Sequence, residues 1–139
     1  MVKVKHILAL DVGEKRVGVA IANVVARLPR PLTTLERSDR TVQEIARIVQ
    51  SEDAETIVVG LPRGLKGQDT AQTEAVRSFV RQLDALHIQL VWQDEALTSV
   101  KAEQELRQTR DRHSKADVDA LAATYILEDY LNGEENTYV

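Results

Sequence analysis

Residues Thr56-Ile-Val-Val-Gly60 make a short β-branched run with no polar residue inside it. A strand wetted on one side alternates apolar and polar residues, whereas an unbroken apolar run marks a strand covered on both faces. This segment therefore demands a layered fold, with a sheet in the middle and other elements on each side. The flanking sequence supplies them. His6–Val12 reads as a first strand, Gly13-Glu14-Lys15 as a turn and Arg16–Ala22 as the returning strand of a hairpin. Pro29 and Pro31 bracket an extended entry to a third strand near Leu32–Glu36. Thr41-x-x-Glu44 has the capping-box pattern and predicts a helix to about Gln50, with Val42, Ile45, Ile48 and Val49 on one stripe. The loop Leu61–Gln68 holds Pro62, Gly64 and Gly67, and leads to a helix over Asp69–Leu86 and a strand over Ile88–Gln93. Helices over Thr98–Gln108 and Lys115–Leu131 complete the set.

The order β-β-β-α-β-α-β-α-α predicts an α/β fold in one domain over residues 1–131. Its sheet should be mixed and five-stranded, the first three strands antiparallel, with helices on both faces. The polar segment Asn132–Val139 is expected to be a flexible tail. A chain of 139 residues falls within the common single-domain range of about 100–150. Absence of cysteine excludes disulfides, thiolate zinc sites and cysteine nucleophiles. The longest apolar runs, Ile7–Leu10 and Ile57–Val59, fall far short of the ~20 residues a membrane-spanning helix needs. Met1-Val-Lys-Val-Lys-His6 runs straight into a strand without a signal-peptide pattern, which predicts a cytoplasmic protein.

Charge and chemistry pull in different directions. Eighteen basic and 22 acidic residues leave a net charge of −4, which by itself argues against a phosphate-binding surface. Carboxylates that hold a divalent cation, however, count as negative in that sum while presenting a cationic site. Three acids stand where a core should have apolar residues. Asp11 ends the first strand on the face of Ile7 and Ala9. Asp94 and Glu95 follow Leu90-Val91-Trp92, and their opposite parity lets only one of them face the site. Asp119 shares a helix face with Ala122, Ala123 and Ile126, a small-residue face suited to lying close on a sheet. Converging carboxylates repel unless a cation joins them, and oxygen-only ligation suits Mg2+ or Mn2+ rather than zinc. Structural readings compete: strand-end acids cap turns, and Asp119 could pair with an arginine. Asp117 fits the third position of a capping box after Ser114 and is the alternative to Asp119. Gly13 would turn the chain, and Gly18 would leave room beside Asp11 for a phosphate backbone or simply for packing.

The segment Leu10-Asp-Val-Gly-Glu-Lys-Arg-Val-Gly-Val-Ala20 resembles the opening of the YqgF/RuvX-like family, the pre-16S rRNA nucleases related to Holliday-junction resolvases. Val59-Gly-Leu-Pro62 with Gly67, Asp94-Glu-Ala-Leu-Thr-Ser99 and Asp119-Ala-Leu-Ala-Ala123 match its remaining motifs in order, over essentially the whole chain. Two positions depart from the pattern: Gly64 stands where an Asn is usual, and Ala96 where an Arg is common. The resemblance implies a ribonuclease H-like fold and a metal-dependent nuclease that hydrolyses phosphodiester bonds in maturing the 5′ end of 16S rRNA. It implies that Asp11, Glu95 and Asp119 are the catalytic, metal-holding triad, with two Mg2+ or Mn2+ ions. A resolvase acting on branched DNA is the alternative within that chemistry. A non-catalytic nucleic-acid-binding or ribosome-assembly factor is the alternative outside it, and an actin-like phosphotransferase would need a second lobe.

Backbone contacts to pre-ribosomal RNA, branched DNA or ribosomal particles are expected from Lys15 and Arg16 in the hairpin, Arg63 and Lys66 in the loop, and Arg110, Arg112 and Lys115 before the last helix. Aromatic residues are 4% of the chain, and Trp92 lies inside a strand, so stacking platforms for single-stranded bases are not expected. Thr98 and Ser99 read as helix caps, and His6 and His87 as structural. No dimer-forming stripe is evident, which predicts a monomer or weak dimer.

Overall fold

The computed structural model describes residues 4–95, 115–133 and 136–138. Its elements are β1 (His6–Val12), β2 (Arg16–Asn23), β3 (Arg30–Glu36), α1 (Thr41–Ser51), β4 (Ala54–Pro62), α2 (Ala71–Arg81) with a 3-10 extension (Gln82–Leu86), β5 (Gln89–Glu95), α3 (Lys115–Leu131) and β6 (Asn136–Tyr138). The strands lie in the order β3-β2-β1-β4-β5-β6. β1, β2 and β3 are antiparallel neighbours, while β4 runs parallel to β1 and β5 parallel to β4. The expected helix over Thr98–Gln108 lies outside the described residues.

Period-two alternation sorts the strand side chains into two cores. Leu8, Leu10, Val17, Val19, Ile21, Ile57 and Val59 pack on one face against Ile45 of α1 and Val76, Phe79 and Val80 of α2. Ile7, Ala9, Ala20, Ala22 and Val58 pack on the other against Ala123, Ile126 and Leu127 of α3. Each fully buried aliphatic side chain is worth about 1.5–3 kcal/mol over leaving it in water, so the sheet carries most of the stability. The second face is built from small residues, and α3 consequently lies close to it. Asp11 belongs to that face by parity with Ile7 and Ala9.

Several local expectations are corrected. Thr41 does not cap α1: Arg40 is the N-cap residue and its side chain makes no capping bond. Thr41 is instead buried, its hydroxyl accepting from the Ser38 N–H at 2.8 Å and donating to the Ser38 carbonyl at 3.0 Å. The capping box belongs to α2, where Thr70 and Thr73 bond each other's backbone. The long second helix ends at Arg81 and tightens into a 3-10 turn closed by His87 at φ 52°. Residues Asn136–Tyr138, expected within a flexible tail, pair antiparallel with Val91–Gln93 and add a sixth strand.

Candidate functional site

Asp11 lies opposite Gly18 of β2. One residue beyond the last β1–β4 pair, Leu10 with Val59, Gly60 follows on its other side. A carboxylate on the α3 face is thus flanked by two residues without side chains, and α3 packs over both of them, through its backbone at Gly18 and through Ile126 at Gly60. A Cβ on Gly18 would stand 2.0 Å from the Asp119 carbonyl oxygen, so the α3 backbone sits directly on that glycine. A Cβ on Gly60 would stand 3.4 Å from Cγ of Glu95, whose side chain leans over β4 from β5. Gly18 therefore serves helix packing, which leaves no space there for a phosphate backbone. Gly13 has no positive φ; what a side chain would meet there is the Arg16 carbonyl, 2.9 Å from its Cβ.

Glu95 shares the parity of Val91 and Gln93, and both its carboxylate oxygens are shielded from solvent. Asp94 points to the opposite face and accepts from Arg63 Nε at 3.3 Å. Asp119 lies 13% exposed and accepts from Arg16 Nε at 2.6 Å, joining residues 103 apart in the chain. The carboxylate raises the guanidinium's already high pKa, first through that hydrogen bond and then through its charge. Asp11, Arg16 and Asp119 line one cleft of about 370 Å3 with the hairpin residues Val12–Lys15 and Gln72 of α2. Asp117 is exposed and borders a different groove, against Pro31–Thr34 of β3.

The topology thus brings Asp11, Glu95 and Asp119 to one face and one end of the sheet. Their donor chemistry suits a hard divalent cation. Their side chains are nevertheless not drawn together: among the described residues, no group of three His, Asp or Glu stands close enough to hold a metal ion. Arg16, expected at the nucleic-acid backbone, instead has its guanidinium on one oxygen of the Asp119 carboxylate.

The other basic residues divide. Lys15 is exposed at the cleft rim. Arg63 is engaged with Asp69 and Asp94, and Asp69 also accepts from Arg77 at 2.6 Å. These bonds brace the loop after β4, where Gly67 takes φ 76° and Gln68 Oε1 accepts from the Lys66 N–H. Lys66 itself is exposed. Arg110 and Arg112 lie outside the described residues, as does the side chain of Lys115.

Three residues near the site escaped the sequence reading. Gln93, 1% exposed on the Glu95 face, keeps a buried Oε1 with no hydrogen-bond partner among the described residues. Its signal was a polar residue at an apolar parity. Gln72 lines the cleft from α2. Arg37 donates to the Gly13 carbonyl at 3.1 Å while its guanidinium covers the Phe79 ring at 4.9 Å, pinning the hairpin turn to the core.

Residues 5–133 match a family model described as RuvX, Holliday junction resolvase. A Chloroflexus aggregans protein named "Putative pre-16S rRNA nuclease" is 42% identical over 137 residues, covering 95% of this chain and 96% of that one. A protein of the same name from Caldanaerobacter subterraneus is 38% identical over 139 residues, covering 95% and 99%. Among solved structures, RuvC of T. thermophilus in complex with a Holliday junction aligns over 97% of this chain and 99% of its own, with a TM-score of 0.61 at 13% identity. That likeness establishes the ribonuclease H-like fold expected from the sequence.

Proposed function

We propose, from the premise that this chain belongs to the RuvX family, that it is a metal-dependent nuclease hydrolysing phosphodiester bonds of pre-16S ribosomal RNA. The observation that carries the reading is that Asp11, Glu95 and Asp119 come to one face and one end of the sheet, with Gly18 letting the α3 backbone at Asp119 seat directly on β2. A side chain at Gly18 would lift that helix from the strand.

Asp11, Glu95 and Asp119 are the residues that would hold Mg2+ or Mn2+, in a two-ion arrangement. When bound, such ions lower the pKa of water and neutralise charge on the reacting phosphate. The remaining work belongs to the chain. Asp11 sits at the end of a buried strand, paired with Gly18 on one side and one residue beyond the last pair with β4 on the other. Glu95 comes from β5 on the same face beside Gly60, and its shielded oxygens sit where charge interactions are strong. Lys15 stands at the rim, where an ammonium meets a phosphodiester without base specificity. With Trp92 packed into the core of the opposite face, recognition rests on backbone shape and charge. A cytoplasmic setting, with ribosomal particles as partners and a monomer or weak dimer as the working form, accords with this role.

Cleavage of a precursor-rRNA fragment with Mn2+ or Mg2+ tests the reading. The wild type cuts, and Asp11→Asn, which preserves shape and removes a charge, loses at least about 100-fold. Equal activity in both proteins rejects it. The family description favours one second reading, a resolvase, and preferential cutting of a four-way DNA junction over the RNA would select it.

A further inference from the structure

Arg16 has two carboxylates within its reach. It is bonded to Asp119 at 2.6 Å, and it lies directly opposite Glu36 in the β2–β3 pairing. Residues opposite each other in an antiparallel pair put their side chains on the same face, close enough for charges to interact. The Glu36 charge already contributes to holding the guanidinium protonated. Gly18 sets this contact up: a bare residue there lets the α3 backbone at Asp119 seat on β2, two residues from Arg16 on the same strand. A carboxylate only 13% exposed and near Asp11 needs a cation whether or not a metal is there.

We propose that Arg16 is an exchangeable counter-ion of the site: it satisfies Asp119 while the site is empty, and yields to a divalent cation by turning toward Glu36. The inference rests on the metal reading above, and it assigns Arg16 a positioning role distinct from contact with nucleic acid. It also makes metal affinity a competition. Every bond that Arg16 makes to Asp119 is one the incoming ion must displace, and a ligand shifts such an equilibrium only by its differential affinity for the two states.

Titration calorimetry with Mn2+ alone, without nucleic acid, tests the exchange on four proteins: wild type, Arg16→Gln, Arg16→Lys and Asp11→Asn. Arg16→Gln binds Mn2+ about tenfold tighter than wild type, within the usual span for coupled sites. Its melting temperature is lower without metal and rises further on adding it. Arg16→Lys, which restores a cation, returns the affinity toward that of wild type. Binding that needs Asp11 but is unchanged or weakened in Arg16→Gln overturns the exchange alone. Binding absent from every protein, or undiminished by Asp11→Asn, overturns the metal reading and the exchange with it.

Discussion

Glycine at two strand positions sets how closely α3 approaches the sheet, and the two positions are not equivalent. At Gly18 a new Cβ would stand 2.0 Å from a helix carbonyl, and backbone cannot give way without lifting α3 from the sheet. At Gly60 it would stand 2.5 Å from Cδ1 of Ile126, the far end of a flexible side chain. Gly18→Ala should therefore cost about 3 kcal/mol or more and Gly60→Ala about 1 kcal/mol, as overpacking costs scale with how far the neighbours can relax. Urea unfolding of the two variants measures the difference, and equal losses would show that α3 does not bear on β2. The face of Asp11 was legible in the sequence, because a period of two is rigid, whereas parity showed only that one of Asp94 and Glu95 faces the site and the family resemblance chose Glu95. The partner of Asp119 was not legible: an arginine 103 residues away leaves no local trace.

At the scale of elements, the loop between β4 and α2 shows what charge in a sequence conceals. Arg63 read as a phosphate contact, yet its guanidinium joins Asp69 and Asp94, while Arg77 joins Asp69 and Glu74. The hydrogen bond from Arg77, reinforced by the charges of Arg77 and Arg63, holds the Asp69 carboxyl below its ordinary range. A group whose pKa is lower folded than unfolded stabilises the fold above its unfolded value, near 4, and loses that contribution as pH falls through the folded value. Wild type should therefore melt above Asp69→Asn at neutral pH, with the gap closing as pH drops below about 4. A gap independent of pH would assign the effect to packing rather than charge. The same segment holds the true capping box. The Thr41-x-x-Glu44 pattern matches the motif, but a match does not say which way a hydroxyl turns. Thr41 turns inward to Ser38, and the box forms where Thr73 also donates to the Pro62 carbonyl at 2.5 Å.

For the molecule as a whole, the sheet order and its helical layers followed from one apolar strand, a hairpin and the alternation of strand with helix. Those features are dictated by burial, which hydrophobic pattern records. What pattern does not record is edge pairing by a short polar segment: Asn136–Tyr138 completes the sheet through backbone bonds that any side chain allows. Among the described residues, no helix is long and apolar enough to cross a membrane. The fold in turn gives the proposed chemistry its place. β1, β4 and β5 run parallel, so Asp11 and Glu95 arrive at the same end of the sheet, and α3 delivers Asp119 there from above.

Anomalous diffraction from a crystal soaked in Mn2+ tests the gathering of these acids most directly. An ion bonded to oxygens of both Asp11 and Glu95, with the Arg16 guanidinium turned away from Asp119, is the predicted result. Manganese absent from Asp11 at saturating concentration, with Arg16 still seated on Asp119, would contradict it.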